Sequence, residues 1–253
     1  KAGKYENTLI LFLADNGGCA EEFGSGGKPR NHFRGKKLPD TLKANELQTR
    51  MVPARDRQGN PVRVGRGVMP GLADTYVAYR LGWANASNTP FRRYKHWVHE
   101  GGISSPLIAH WPKGIEAKRH NKLESQPGHL IDLMATCVDV ANAKYPKKQK
   151  NKTITPMQGV SLMPAIAGKD LNRKESLFWE HEGNRAMREG KWKLVARGPR
   201  GAWELYDMSK DRTEIHNLAE THPDRTKAMA QKWEEWAIQA KVKPWPWAKR
   251  KKK

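Results

Sequence analysis

Thr8-Leu9-Ile10-Leu11-Phe12-Leu13-Ala14-Asp15-Asn16-Gly17-Gly18 is an apolar run that stops abruptly at a carboxylate, an amide and two glycines. Such a run, bounded by turn residues, is predicted to be a strand buried on both faces, as in a parallel sheet. Polar groups at the carboxyl end of that strand would sit where open α/β sheets bind ligands. A second strand is predicted over residues 106–111, where Pro106-Leu107-Ile108-Ala109-His110-Trp111 is closed by Pro112. Between the two lies a long stretch rich in Gly, Pro, Arg and Asn with little apolar periodicity, which reads as an insertion wrapped around a site.

Downstream of the second strand, residues 129–143 place Leu130, Leu133, Met134, Cys137, Val138 and Ala141 at helical spacing, which predicts an amphipathic helix. The Lys-rich stretch that follows reads as a solvated linker over 147–158. From Gly159 the pattern changes to short alternating segments. Strands are predicted over 177–181, 185–187, 191–195 and 203–207, then a helix over 223–239 with Trp233 and Trp236 three apart. The fold class expected is therefore α/β, with domains at 1–146 and 159–240, an insertion at 24–93 and a basic tail at 241–253. The second domain is expected to hold a small antiparallel sheet and a terminal helix.

Of 253 residues, 47 are Lys or Arg and 26 are Asp or Glu, a formal net charge of +21. The excess is localised: 14 basic against 4 acidic residues over 24–93, nine against four over 113–153, and seven against none over 241–253. The remaining segments are nearly balanced. Basic loops and a basic tail on a neutral fold argue against a dedicated nucleic-acid-binding domain, although a basic nucleic-acid binder remains an alternative. No segment reaches the roughly 18 to 20 apolar residues of a membrane helix. Two cysteines, Cys19 and Cys137, exclude a disulfide scaffold and a Cys-rich zinc module. Neither has a His partner or an electropositive helix start nearby, so both read as buried thiols. Walker A, dinucleotide-binding and Gly-x-Ser-x-Gly patterns are absent. Lys1-Ala2-Gly3-Lys4 has neither an initiator Met nor an apolar leader, which reads as an internal start.

Asp15 and Asn16 offer two hard oxygen ligands suited to Ca²⁺ or Mg²⁺, beside glycines that allow close approach. Asp-Asn-Gly is also an ordinary turn sequence, and the residues alone leave both readings open. The stretch Tyr94-Lys95-His96-Trp97-Val98-His99-Glu100-Gly101-Gly102 supplies a point charge, Lys95, ahead of a Glu-Gly-Gly turn. His96 and His99 would share a helix face as a metal pair, or serve in packing. His129 with Asp132, and His181 with Glu182, are further pairs with the same two readings.

In order along the chain, residues 8–18, 95–112, 128–143, 159–167 and 185–219 resemble the sulfatases, the arylsulfatase-like enzymes of the alkaline phosphatase superfamily. The resemblance implies a mixed sheet flanked by helices, hydrolysis of a sulfate ester to alcohol and sulfate, and a periplasmic or secreted parent enzyme. It implies that Asp15 and Asn16 ligate a single Ca²⁺, that Lys95 contacts the sulfate, and that His129 and Asp132 form a structural helix start; His181 is a further candidate for substrate contact. Sulfatases make a formylglycine nucleophile from the first residue of a Cys/Ser-x-Pro-Ser-Arg-type motif. Cys19 is followed by Ala-Glu-Glu-Phe and Cys137 by Val-Asp-Val-Ala, and no serine begins such a motif. The expectation is a carboxy-terminal portion with an incomplete Ca²⁺ ligand set that is inactive alone. Its partner would be a sulfate ester, with a sulfated glycan as the candidate. A non-catalytic binder of sulfated glycans using Lys95, Arg92 and Arg93, and a phosphate or phosphonate esterase, are the other readings.

Overall fold

The computed structural model describes residues 2–22, 30, 31, 37–65 and 67–243. The basic tail from 244 onward and parts of the 24–93 insertion lie outside the described residues. In chain order the elements are β1 (Ile10–Leu13), β2 (Arg30–Asn31), β3 (Arg63–Val64), α1 (Arg80–Asn88), α2 (Glu100–Ile103), β4 (Leu107–His110), α3 (Leu130–Val140), β5 (Lys148–Gln149), β6 (Lys152–Thr153), α4 (Met163–Ile166), β7 (Leu177–His181), β8 (Asn184–Glu189), β9 (Trp192–Ala196), β10 (Glu204–Asp207) and α5 (Pro223–Gln239). They fall into two compact units, one of Lys1–Asp15 with Ser105–Lys253 and one of Asn16–Ser104.

In the first unit, four strands in the order β10-β9-β8-β7 form an antiparallel meander. Gly183 and Gly190 take positive φ in the connecting turns, which a side chain would resist. Met187, Leu194 and Leu205 from the sheet pack against Met229, Trp233 and Ala237 of α5. Residues 229, 233 and 237 recur at four-residue spacing and so line one helix face. Trp233 is fully buried, and its indole nitrogen donates to the carbonyl of Trp179 over 3.1 Å. Lys193 and Glu214, both without exposed side-chain surface, pair at 2.8 Å.

The helix α3 turns an unexpected face inward. Its buried residues are Asp132, Ala135 and Thr136, while Leu130, Met134 and Cys137 are exposed. Thr136 Oγ1 donates to the Asp132 carbonyl and accepts from the Leu162 amide at 2.7 and 2.9 Å. Asp132 accepts from the amides of His129 and Val160 at 2.7 and 2.9 Å and pairs with Arg173. These bonds satisfy a helix start and a buried carboxylate together, so the His129 and Asp132 pair is structural.

The parallel-sheet expectation for residues 8–13 is corrected. β1 pairs with β4, and antiparallel, with Ile10 opposite His110 and Leu13 opposite Leu107. Ile10, Phe12, Leu107 and Ile108 are exposed, because among the described residues no third strand or helix covers this two-stranded ladder. The stretch read as a solvated linker contains the β5–β6 hairpin. The buried-thiol expectation also fails: Cys19 is partly exposed and Cys137 exposed.

In the second unit, Val52, Val62 and Val64 form a small core with Tyr76. Arg63 pairs with Asp74 at 2.9 Å, and α1 contributes Ala84, which is fully buried. The described part of the insertion is thus built around its own valine cluster. No described helix is long and apolar enough to cross a membrane.

Candidate active site

Asp15 ends the first unit and Asn16 begins the second. Asp15 is exposed, at the bend that follows β1. Asn16 is half-buried, and its amide nitrogen donates to the Gly17 carbonyl over 3.1 Å. That leaves Asn16 Oδ1 as the atom available to a cation.

The glycines after Asn16 are dictated by what they touch. The Gly17 amide donates to Gly102 O at 2.9 Å, and a Cβ on Gly17 would lie 1.8 Å from Gly101 O. A Cβ on Gly101 would lie 2.3 Å from Arg93 O, and one on Gly102 only 1.9 Å from Trp97 O. Gly17 thus lets its loop pack backbone against backbone on residues 101 and 102, while Gly101 and Gly102 let that turn pack on the backbone of residues 92–97.

Lys95 is tied into the same arrangement. Its amide donates to Gly18 O at 3.0 Å, the Gly18 amide donates to Asn88 Oδ1 at 2.9 Å, and Asn88 Nδ2 donates to Arg93 O at 3.0 Å. Arg93 and His96, which flank Lys95, have φ of 73° and 84°. A non-glycine residue held at positive φ marks a backbone fixed by its surroundings. His99 precedes α2 in extended conformation and is buried, as is Glu100. His96 and His99 therefore do not share a helix face, and the helical metal-pair reading is corrected.

Glu21 was not singled out in the sequence. Its carboxylate lies 3.5 Å from Lys95 Nζ and 3.1 Å from His96 Nε2, and it accepts from Cys19 Sγ at 3.2 Å. The bond from Cys19, then that from His96 and the charge of Lys95, hold the Glu21 carboxyl below its usual range. An Asp or Glu so close in sequence to Asn16 was the available signal, but its pairing spans some 75 residues and no local pattern reports it.

His181 closes β7 opposite Asn184, exposed, ahead of Glu182 and Gly183 at positive φ. It belongs to the other compact unit from Lys95. A cavity of about 590 Å³ bounded by Gln126, Asp170, Arg173, Leu177 and Arg188 contains none of the expected site residues.

The loop of Asn16 and the backbone of Lys95 are thus held together by hydrogen bonds. A model of the sulfatase family matches residues 1–143, and one of the N-sulphoglucosamine sulphohydrolase C-terminal family matches residues 92–240. The chain belongs to the sulfatase family. It is 27% identical to an uncharacterized sulfatase of Schizosaccharomyces pombe over 237 residues, covering 91% of this chain and 38% of that one. It is 28% identical to an arylsulfatase of Klebsiella aerogenes over 178 residues, 70% of this chain and 32% of the relative. An N-acetylgalactosamine-6-sulfatase of Canis lupus familiaris is 28% identical over 125 residues, 49% of this chain and 22% of that protein. The crystal structure of Ps i-CgsB in complex with k-i-k-neocarrahexaose superposes with a TM-score of 0.55 at 21% identity, covering 93% of this chain and 37% of that one. That likeness is one of fold. The chain spans between a fifth and two fifths of the length of these relatives.

Proposed function

We propose that residues 1–253 form part of a sulfuric ester hydrolase that cleaves the sulfate ester of a sulfated glycan, in a periplasmic or secreted setting. The observation that carries this reading is the bond between Lys95 and Gly18, which fixes an ammonium-bearing residue beside the loop that starts at Asn16. Family membership supports ester hydrolysis, and the sugar-sulfate names of one matching family model and one relative support the glycan.

Asp15 and Asn16 would contribute two oxygens to a Ca²⁺ ion, whose charge would draw electron density off the sulfuryl oxygens when bound. The fit is partial: Asn16 Oδ1 is directed to no described donor and Asp15 is exposed, but Ca²⁺ takes about 6 to 8 oxygens. Lys95 would hold a sulfate oxygen by charge and stabilise negative charge growing on the leaving group side of sulfur. His181 would contact the substrate. The formylglycine nucleophile would come from polypeptide outside residues 1–253, so the chain by itself is expected to be inactive and to bind Ca²⁺ weakly.

The test is turnover of an aryl sulfate by the purified chain. No sulfate release is expected, and release that Asp15→Ala abolishes would overturn the inactivity of the isolated chain. In a longer sulfatase containing this sequence, Lys95→Ala should lower kcat more than it raises KM. An unchanged kcat would remove Lys95 from the chemistry.

A further inference from the structure

The β5–β6 hairpin concentrates charge that the proposed hydrolytic site does not use. Lys144, Lys147, Lys148, Lys150 and Lys152 are all exposed, and between Asp139 and Asp170 the chain has no acidic residue. None of the five makes an ion pair among the described residues. The segment is nonetheless ordered. Lys148 stands opposite Thr153 and Gln149 opposite Lys152, and the Ile154 amide donates to Lys147 O at 3.1 Å.

Two local choices run against stability. The two-residue turn puts Lys150 at φ 43° and Asn151 at φ 63°, where Asn-Gly is the favoured pair because glycine carries no side chain. A short two-stranded hairpin is at best marginal in water. A sequence that breaks a local rule without a local gain points to a function for the residues concerned. Cross-strand partners share a face and successive residues alternate, so Lys148 and Lys152 project from opposite faces with Lys150 at the tip. Charge therefore surrounds a finger instead of tiling a flat patch, which suits a flexible linear polyanion.

We propose that this hairpin is a docking finger for sulfated polysaccharide, separate from the residues assigned to hydrolysis; the choice of polysaccharide rests on the sulfatase reading above. The hairpin's own chemistry favours it over nucleic acid. It contains no arginine for bidentate phosphate or base contacts, and its one aromatic residue, Tyr145, lies outside the paired strands, so successive bases would have no stacking platform.

The experiment measures heparin binding by the full chain as a function of NaCl concentration. Three forms are compared: unmodified; Lys147→Ser, Lys148→Ser, Lys150→Ser and Lys152→Ser combined; and Lys249→Ser, Arg250→Ser, Lys251→Ser and Lys252→Ser combined in the tail. Each lost contact should flatten the log–log salt dependence by about 0.7, so the hairpin variant should lose a slope of about 2 to 3 and bind at least about tenfold more weakly at 0.15 M salt. An unchanged thermal unfolding midpoint for that variant confirms that the fold is intact, as expected for exposed side chains. Equal heparin binding by the hairpin variant, loss confined to the tail variant, or equally tight hairpin-dependent binding of duplex DNA would each overturn the proposal. Failure of the longer sulfatase to release sulfate would overturn the hydrolytic reading while leaving the heparin measurement intact, so the two fail separately.

Discussion

The amide of Lys95 donates to the carbonyl of Gly18 over 3.0 Å. The loop that begins at Asn16 and the residue expected to meet the substrate anion are thereby one rigid piece of backbone, though 77 positions separate Lys95 from Gly18 in the sequence.

The glycines that permit this contact should resist substitution. Gly17→Ala places a methyl group 1.8 Å from Gly101 O, and no flexible side chain is there to yield. Forced overpacking of this kind destabilises by about 1 to 3 kcal/mol. Gly82, inside α1 with open space around it, should do the opposite: Gly82→Ala should stabilise by about 0.5 to 1 kcal/mol. Urea unfolding of the two variants checks both signs, and a Gly17→Ala protein as stable as the parent would show that the loops are not clamped.

Glu21 lies against Lys95 Nζ and competes for it with any bound anion. Glu21→Gln should therefore tighten sulfate binding by about two- to fivefold, the range of an exposed ion pair. Titration calorimetry with inorganic sulfate reads this directly, and weaker binding by the variant would mean that Glu21 positions the lysine instead of restraining it.

The Lys193–Glu214 pair is fully buried, so removing one partner takes from the other the opposite charge it faces at 2.8 Å. Lys193→Met should cost about 3 to 5 kcal/mol, whereas Lys193→Met combined with Glu214→Leu should recover most of that loss. Thermal unfolding of the single and double variants distinguishes the outcomes; a double variant no better than the single would show that the pair has no mutual role.

Burial, and then the nearby Arg173, lower the pKa of His129, against the raising influence of Asp132. His129 Nδ1 accepts from the Ile131 amide at 3.3 Å, which requires the neutral ring. With a folded-state pKa below the unfolded value near 6.5, the unfolded chain takes up the proton first. The stability from this residue is therefore complete above that pH and is lost as pH falls through the folded-state pKa. His129→Asn keeps a capping side chain without a titrating ring and should flatten the dependence of unfolding free energy on pH below neutrality. An identical pH dependence in the variant would exclude His129 as its source.

The strands and the helix of residues 177–239 were largely legible in the sequence. β7 matches its expected limits of 177–181, and α5 those of 223–239, because period-two and near-four-residue repeats are direct consequences of one face being buried. Alternation does not report the burial of Lys193, whose partner Glu214 lies 21 positions away. Asn16 and Lys95 were singled out in the sequence by the chemistry of their side chains and by family resemblance, whereas Glu21 was not.

The sequence by itself determined where the strands and the helix of residues 177–239 run, which residues carry hard oxygen and ammonium groups, and where the basic charge is concentrated. Tertiary structure alone decided that β1 meets β4 antiparallel, that α3 turns Asp132 and Thr136 inward, that Gly17 and Gly101 meet backbone to backbone, and that the lysines after Lys144 stand on a hairpin. The difference is physical. Periodic burial and turn chemistry act between near neighbours and leave a pattern in the sequence, whereas close approach and pairing between distant segments depend on how those segments meet in space.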